Sequence, residues 1–175
     1  MDISVGEGFR EISVGEGFRL RFPRPRRQGV KGFWEGRKFL ISKGEDVVYE
    51  FYEAPGRLLD KLIRMQAATP KELSKELGIT AAGILYNMQP LLQSGIVQKK
   101  EFPGGSAYYY VCWEIELELS PILKKKLIKV EEKYGGLNAV TQLSLAKLER
   151  ELDVTSDGFQ KIMLYLRDHM RNKEG

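Results

Sequence analysis

Apolar side chains recur at helical spacing in three stretches near the middle of the chain. Leu58, Leu59, Leu62 and Ile63 form one stripe, with Gln66 on the same spacing. Leu73 and Leu77 form a second, and Ile84, Leu85, Met88, Leu91 and Leu92 a third. Each predicts a helix with one buried face. Thr69-Pro70-Lys71-Glu72 opens the second helix: a capping Thr, Pro at the first helical position, and Glu three residues after the cap. Gly78 is expected to turn the chain left-handed, Ile79 to plug the core between helices, and Thr80 to cap the third helix. Pro90 should loosen or bend that helix, and Ser94-Gly95 should end it. Its solvent-facing positions are then Ala81, Ala82, Tyr86, Asn87, Gln89 and Gln93.

Beyond Gly95 the period changes to two. Residues 96–102 read as a strand, 103–106 as a hairpin tip and 107–119 as a return strand. In the return, Trp113, Ile115, Leu117 and Leu119 alternate with Glu114, Glu116 and Glu118, which predicts one buried and one wet face. Upstream, 37–42 and 47–53 predict a β-hairpin closed by residues 43–46, and Ala54-Pro55-Gly56 marks a boundary. Phe33, Trp34 and Phe39 are read as core aromatics.

Helix, helix, turn, helix and β-hairpin is the winged-helix order. Residues 69–80 (Thr-Pro-Lys-Glu-Leu-Ser-Lys-Glu-Leu-Gly-Ile-Thr), with 91–97 (Leu-Leu-Gln-Ser-Gly-Ile-Val), closely resemble the MarR-like and ArsR-like winged helix-turn-helix regulators. The resemblance covers about 60 residues and implies a fold more strongly than a function. A shift of 75 positions brings the motif back: Leu73, Leu77, Thr80, Gly83, Met88 and Leu91 fall on Leu148, Leu152, Thr155, Gly158, Met163 and Leu166. Residues 144–169 therefore read as a second, degenerate helix-turn-helix copy, preceded by a helix from Ser120-Pro121 to Tyr134. That region is either a second winged-helix-like domain or a set of helices that pairs two subunits. The expected fold class is α+β, mainly α: a winged helix-turn-helix with an N-terminal β-hairpin and a second helical unit. Four segments follow: a basic arm (1–36), a hairpin and boundary (37–56), the winged helix-turn-helix (57–119) and a linker helix with the second unit (120–175).

Charge changes this picture at one place. The chain has a net charge of +4, yet residues 10–38 hold nine Lys/Arg against three Glu. Residues 39–175 carry 19 basic and 19 acidic side chains, so the cationic excess belongs to the N-terminal stretch. Pro23 and Pro25 forbid helix there, which sets Arg19, Arg21, Arg24, Arg26 and Arg27 along an extended segment suited to phosphate contact or a minor groove. Lys31, Arg37 and Lys38 continue it, and Lys99 and Lys100 begin the second strand pair. The candidate nucleic-acid contacts are these ten residues with Tyr86, Asn87 and Gln89 of the third helix and Lys161 of the second copy. The third helix itself offers no cation to base edges or phosphates. An identical repeat, 3–10 and 12–19, is too short for a solenoid unit, and its Gly-Glu-Gly lacks the third glycine of a dinucleotide loop.

Other chemistries find little footing. Cys112 is the only cysteine, which excludes an intramolecular disulfide and a cysteine-based metal site. His169 is the only histidine and sits near the C-terminus, where a helix-end cation is the ordinary role. No phosphate loop, zinc spacing or catalytic triad is present, so neither catalytic residues, metal nor cofactor is expected. The start Met1-Asp2-Ile3-Ser4 lacks a secretory pattern and no apolar run reaches membrane length, which predicts a cytoplasmic protein. Three functions fit: a DNA-binding transcriptional regulator whose basic arm contacts phosphates, an RNA-binding or ribonucleoprotein component, and a tandem winged-helix interaction scaffold. A homodimer or a larger assembly is compatible with each.

Overall fold

The computed structural model describes residues 8–14, 18–105 and 107–174, with side chains to residue 170. The first copy of the 3–10 repeat therefore lies mostly outside the described residues, as does Ser106 at the hairpin tip. The chain divides into two compact units, 1–116 and 117–175.

Alternation builds the first unit from its N-terminus. In β1 (Phe9–Val14) and β2 (Phe18–Pro23), Ile12 pairs with Leu20 and Arg10 with Phe22, while Glu11 pairs with Arg21 and Ser13 with Arg19. The first set lies on one face, the second on the other. After Pro23 the chain enters β3 (Arg26–Glu35), then β4 (Lys38–Lys43) and β5 (Asp46–Phe51), which pair antiparallel in sequence. Their sheet is completed by β9 (Trp113–Leu117), giving the order β5-β4-β3-β9.

Helix α1 (Glu53–Met65) lies against this sheet. It begins five residues before the first residue of the apolar stripe, Leu58, and Ala54-Pro55-Gly56 is its first turn rather than a break. Proline fits there because first-turn amides have no helical acceptor. Gly56 is buried, and a Cβ at that position would meet Phe39 Cβ at 2.9 Å and Trp34 at 3.0 Å. The missing side chain is what lets α1 approach β4. Trp34 Nε1 donates to Asp60 of α1 at 2.8 Å, fixing the same contact. Helix α1 ends at Gln66, whose φ of 74° is unusual for a residue with a side chain.

Residues 67–111 then form β6 (Ala67–Ala68), α2 (Pro70–Leu77), α3 (Ala81–Ser94), β7 (Val97–Glu101) and β8 (Ala107–Val111), the strands in the order β6-β8-β7. Local chemistry sets the helix ends as the sequence predicts. Thr69 and Glu72 form a reciprocal capping box, Gly78 is left-handed at φ 69°, and Thr80 Oγ1 accepts from Gly83 N at 3.0 Å. Leu58, Leu59, Leu62, Leu73, Ile84, Met88 and Leu91 are fully enclosed between these helices and strands. Helix α3 continues through Pro90 to Ser94. Two side chains depart from expectation: Ile79 and Leu85 are 37% and 43% exposed, so neither plugs the core.

The mainly α class is corrected by this architecture. The described residues are about 32% strand and 48% helix, with multi-stranded sheets. A winged helix with a single N-terminal hairpin omits β1, β2 and β3, because the basic segment is not a free arm but is paired strand. The return strand is likewise two strands: β8 pairs with β7 and β6, whereas β9 leaves Cys112 to join β3. Alternation identifies a buried face but carries no record of the partner strand.

Beyond Leu117, at the end of β9, the elements of the second unit among the described residues are helices. Ser120 caps α4 (Pro121–Tyr134), left-handed Gly135 ends it, and α5 (Leu137–Val140), α6 (Leu145–Leu152) and α7 (Ser156–Glu174) follow. Leu127, Val130, Val140, Leu148, Leu152, Ile162 and Leu166 form its core. Between α6 and α7 the chain turns at left-handed Asp153, and Thr155 Oγ1 accepts from Gly158 N at 3.2 Å, as Thr80 does for Gly83. Lys133 Nζ donates to both carboxylate oxygens of Glu151, at 2.8 and 3.0 Å, and Tyr134 Oη donates to one of them at 2.8 Å. The Lys133 hydrogen bond, then that of Tyr134, holds the Glu151 pKa below its ordinary value, and the Glu151 hydrogen bond raises that of Lys133. A lowered carboxyl pKa stabilises the fold above its unfolded value and is lost as pH falls through the folded one. A raised lysine pKa stabilises below its unfolded value and is lost as pH rises through the folded one. Carbon-detected titration is expected to place the Glu151 midpoint below that of exposed glutamates, and Glu151→Gln to flatten the acid limb of the unfolding curve.

Candidate nucleic-acid interface

The β1–β2 hairpin is seated by its inner face. Ile12, Val14 and Phe22 are buried against Ala67 and Tyr110, with Phe102, Tyr108 and Cys112 around them. The Phe22 ring meets Phe102 and Tyr110 at 5.4 Å each. Arg10 also belongs to this seat: its guanidinium donates to Gln66 Oε1 at 3.2 Å and to the Val111 carbonyl at 3.1 Å. Burial lowers the Arg10 pKa, partly offset by Cys112 and Tyr110. Lys100 of β7 closes the seat from the other side. Its Nζ donates to the Arg21 carbonyl at 2.7 Å and lies over the Phe102 and Phe22 rings at 5.2 and 5.9 Å.

The outer face of the hairpin carries the cations. Arg19 and Arg21 are both exposed there. Arg21 lies over the Phe9 ring at 5.1 Å, and Arg19 reaches Glu11 only at 3.9 Å, a separation worth little at an exposed site. Two guanidinium groups thus stand on a platform whose underside is packed. An ordered platform loses less entropy on binding a polyanion than a free arm does.

The remaining sequence-predicted cations are distributed differently. Arg24 Nε donates to the Phe9 carbonyl at 2.9 Å. Arg26 is exposed, its backbone N–H donating to the Cys112 carbonyl at 2.7 Å, and Lys31 is exposed on β3. Arg27 pairs with Glu114 at 3.3 Å, Arg37 with Glu53 at 3.7 Å and Lys38 with Glu50 at 3.4 Å. Lys99 pairs with Glu101 at 3.3 Å, and Lys161 of the second unit with Asp157 at 2.8 Å. At each of these pairs a phosphate would compete with a carboxylate already in place.

Helix α3 presents a face without charge. Tyr86 is 78% exposed, and Ala81, Ala82, Gln89 and Gln93 are exposed beside it. Asn87 is half-buried and bends back, its Nδ2 donating to the Gly83 carbonyl at 2.9 Å, so it does not stand out with Tyr86 and Gln89. Sequence reasoning passed over Lys71 and Lys75 of α2. Both are exposed and one helical turn apart, and no ion pair among the described residues involves either. Their i, i+4 spacing on a capped helix was the available signal.

Cys112 is half-buried beneath the hairpin, and burial raises its thiol pKa despite the opposing influence of Arg10 and Arg26. A protonated thiol is a poor nucleophile. Among the described residues no group of three His, Cys, Asp or Glu side chains is arranged to hold a metal ion. No helix among them is long and apolar enough to cross a membrane. Comparison of the chain with protein families, curated proteins and solved structures finds no match.

Proposed function

We propose that this protein is a cytoplasmic DNA-binding regulator, a binding protein and not an enzyme. The reading is carried by one observation: Arg19 and Arg21 are held outward on a hairpin whose inner face is packed against the β6-β8-β7 sheet. Fixed arginines of this kind contact phosphates irrespective of sequence. Lys71 and Lys75 add two more cations on α2. Tyr86 and Gln89 of α3 then meet base edges, Gln through its amide and Tyr through its ring and hydroxyl. The resemblance of 69–80 and 91–97 to MarR-like and ArsR-like regulators supports the same assignment of α2 and α3, and a homodimer would match a palindromic site.

A second reading rests on the α3 face. It exposes Leu85 and Tyr86 and no cation, which suits a protein partner in an assembly as well as it suits DNA. Competition between random duplex DNA and a structured RNA of equal charge, followed by fluorescence anisotropy, separates the readings. The full chain is expected to favour the duplex, and Tyr86→Ala to weaken duplex binding by about tenfold, a loss of roughly 1.4 kcal/mol. Preference for RNA would move the function to ribonucleoprotein binding. Absence of binding to either polymer at low salt would leave the protein-partner reading.

A further inference from the structure

We propose that the second unit binds a small amphipathic monoanion, a carboxylate with an apolar tail, in a groove between α5, α6 and α7. This inference does not rest on DNA binding. The groove has a volume of about 590 Å³, inside the range of roughly 300–1,000 Å³ usual for small-molecule sites. Its floor includes Val140 and Leu148, which are enclosed. Its lining also takes in Leu145 and Met170, which remain 61% and 47% exposed. Exposed leucine and methionine beside an apolar hollow are covered favourably by an apolar ligand.

Polarity in the groove is sparse and of one sign. Among the described residues, Thr141, Gln160 and Arg167 are the polar ones lining it, and no carboxylate is among them. Gln160 and Arg167 are two helical turns apart, so they follow one line along α7. Arg167 is exposed, and its guanidinium pairs with no side chain among the described residues. One exposed guanidinium beside an apolar hollow complements a single carboxylate, which it can engage with two parallel hydrogen bonds. Gln160 and Thr141 supply neutral donors nearby. Two methionines in the lining, Met163 and Met170, adapt to tails of different shape.

The test uses the full chain labelled with carbon-13 at its methionine methyl groups and titrated with decanoate below its micelle concentration. Met163 and Met170 signals are expected to shift saturably, while Met65 and Met88 of the first unit do not. Across octanoate, decanoate and dodecanoate the affinity should rise by about fourfold per methylene until the groove is full. Arg167→Gln should weaken decanoate by about tenfold and leave decanol unchanged, with a thermal melt confirming that the variant folds. Absence of a saturable shift would overturn the site. Equal decanoate affinity in both proteins would overturn the anion. Met163 and Met170 shifts that follow protein concentration instead of decanoate would show a second copy covering the groove, and would equally overturn the proposal.

Discussion

Replacing Arg19, Arg21 and Arg26 together by Gln is expected to lower affinity for random duplex DNA by on the order of a hundredfold at low salt. The same triple variant should reduce the slope of log K against log salt by roughly 2.7, since each phosphate neutralised contributes about 0.9. The side chains of these three do not hold the fold together. Arg19 and Arg21 lie on the outer face of the hairpin, and Arg26 is exposed. Arg10 and Lys100 are the opposite case. Their guanidinium and ammonium groups seat the hairpin against Gln66, Val111 and the Arg21 carbonyl, so changing them confuses lost contact with lost structure. A triple variant that binds duplex with unchanged affinity and slope would remove the hairpin from the interface.

Gly56→Ala is expected to destabilise the first unit by about 1 kcal/mol, and Gly56→Val by about 3 kcal/mol. The sign is the informative part. In an open helix Gly→Ala gains about 1 kcal/mol from helix propensity. Here the new Cβ would meet Phe39 Cβ at 2.9 Å, Trp34 at 3.0 Å and the Phe51 carbonyl at 3.3 Å, and two of those neighbours are ring systems already packed against each other at 5.2 Å. None of the three is the loose end of a flexible chain. Chemical denaturation checks the prediction, and a Gly56→Ala protein more stable than the parent would mean that α1 does not lie this close to β4.

The parts of this fold that were legible in the sequence are those decided within a few residues. The capping box at Thr69 and Glu72, the left-handed Gly78 and the Thr80 cap are local hydrogen-bonding choices. Long-range pairing was not legible. Trp113 to Leu117 alternate so clearly that they read as one strand with residues 107–111, yet β9 pairs with β3, far away in sequence. The basic segment was misread for a related reason. Its arginines and prolines suggested an arm, while the alternation of Leu20 and Phe22 with Arg19 and Arg21 already carried the period of a strand. Pro23 and Pro25 do not break that pattern; they end β2 and lead into β3. Charge was legible as a count but not as a surface, because the carboxylates that balance Arg27, Arg37 and Lys38 come from Glu114, Glu53 and Glu50. On α3 the periodicity put Leu85 inside and Asn87 outside, whereas the structure exposes Leu85 and leaves Asn87 half-buried, bonded back to Gly83. A stripe at helical spacing has edges, and which edge is buried depends on neighbouring elements rather than on the helix.

The most direct test of the DNA-binding account is a map of amide and arginine side-chain resonances of the full chain as a short random duplex is added. The account predicts that Arg19 and Arg21 on the hairpin, Arg26 of β3, Lys71 and Lys75 on α2, and residues 81–89 of α3 shift together along one binding curve. Shifts confined to other surfaces, with the hairpin and α3 unmoved at saturation, would contradict it.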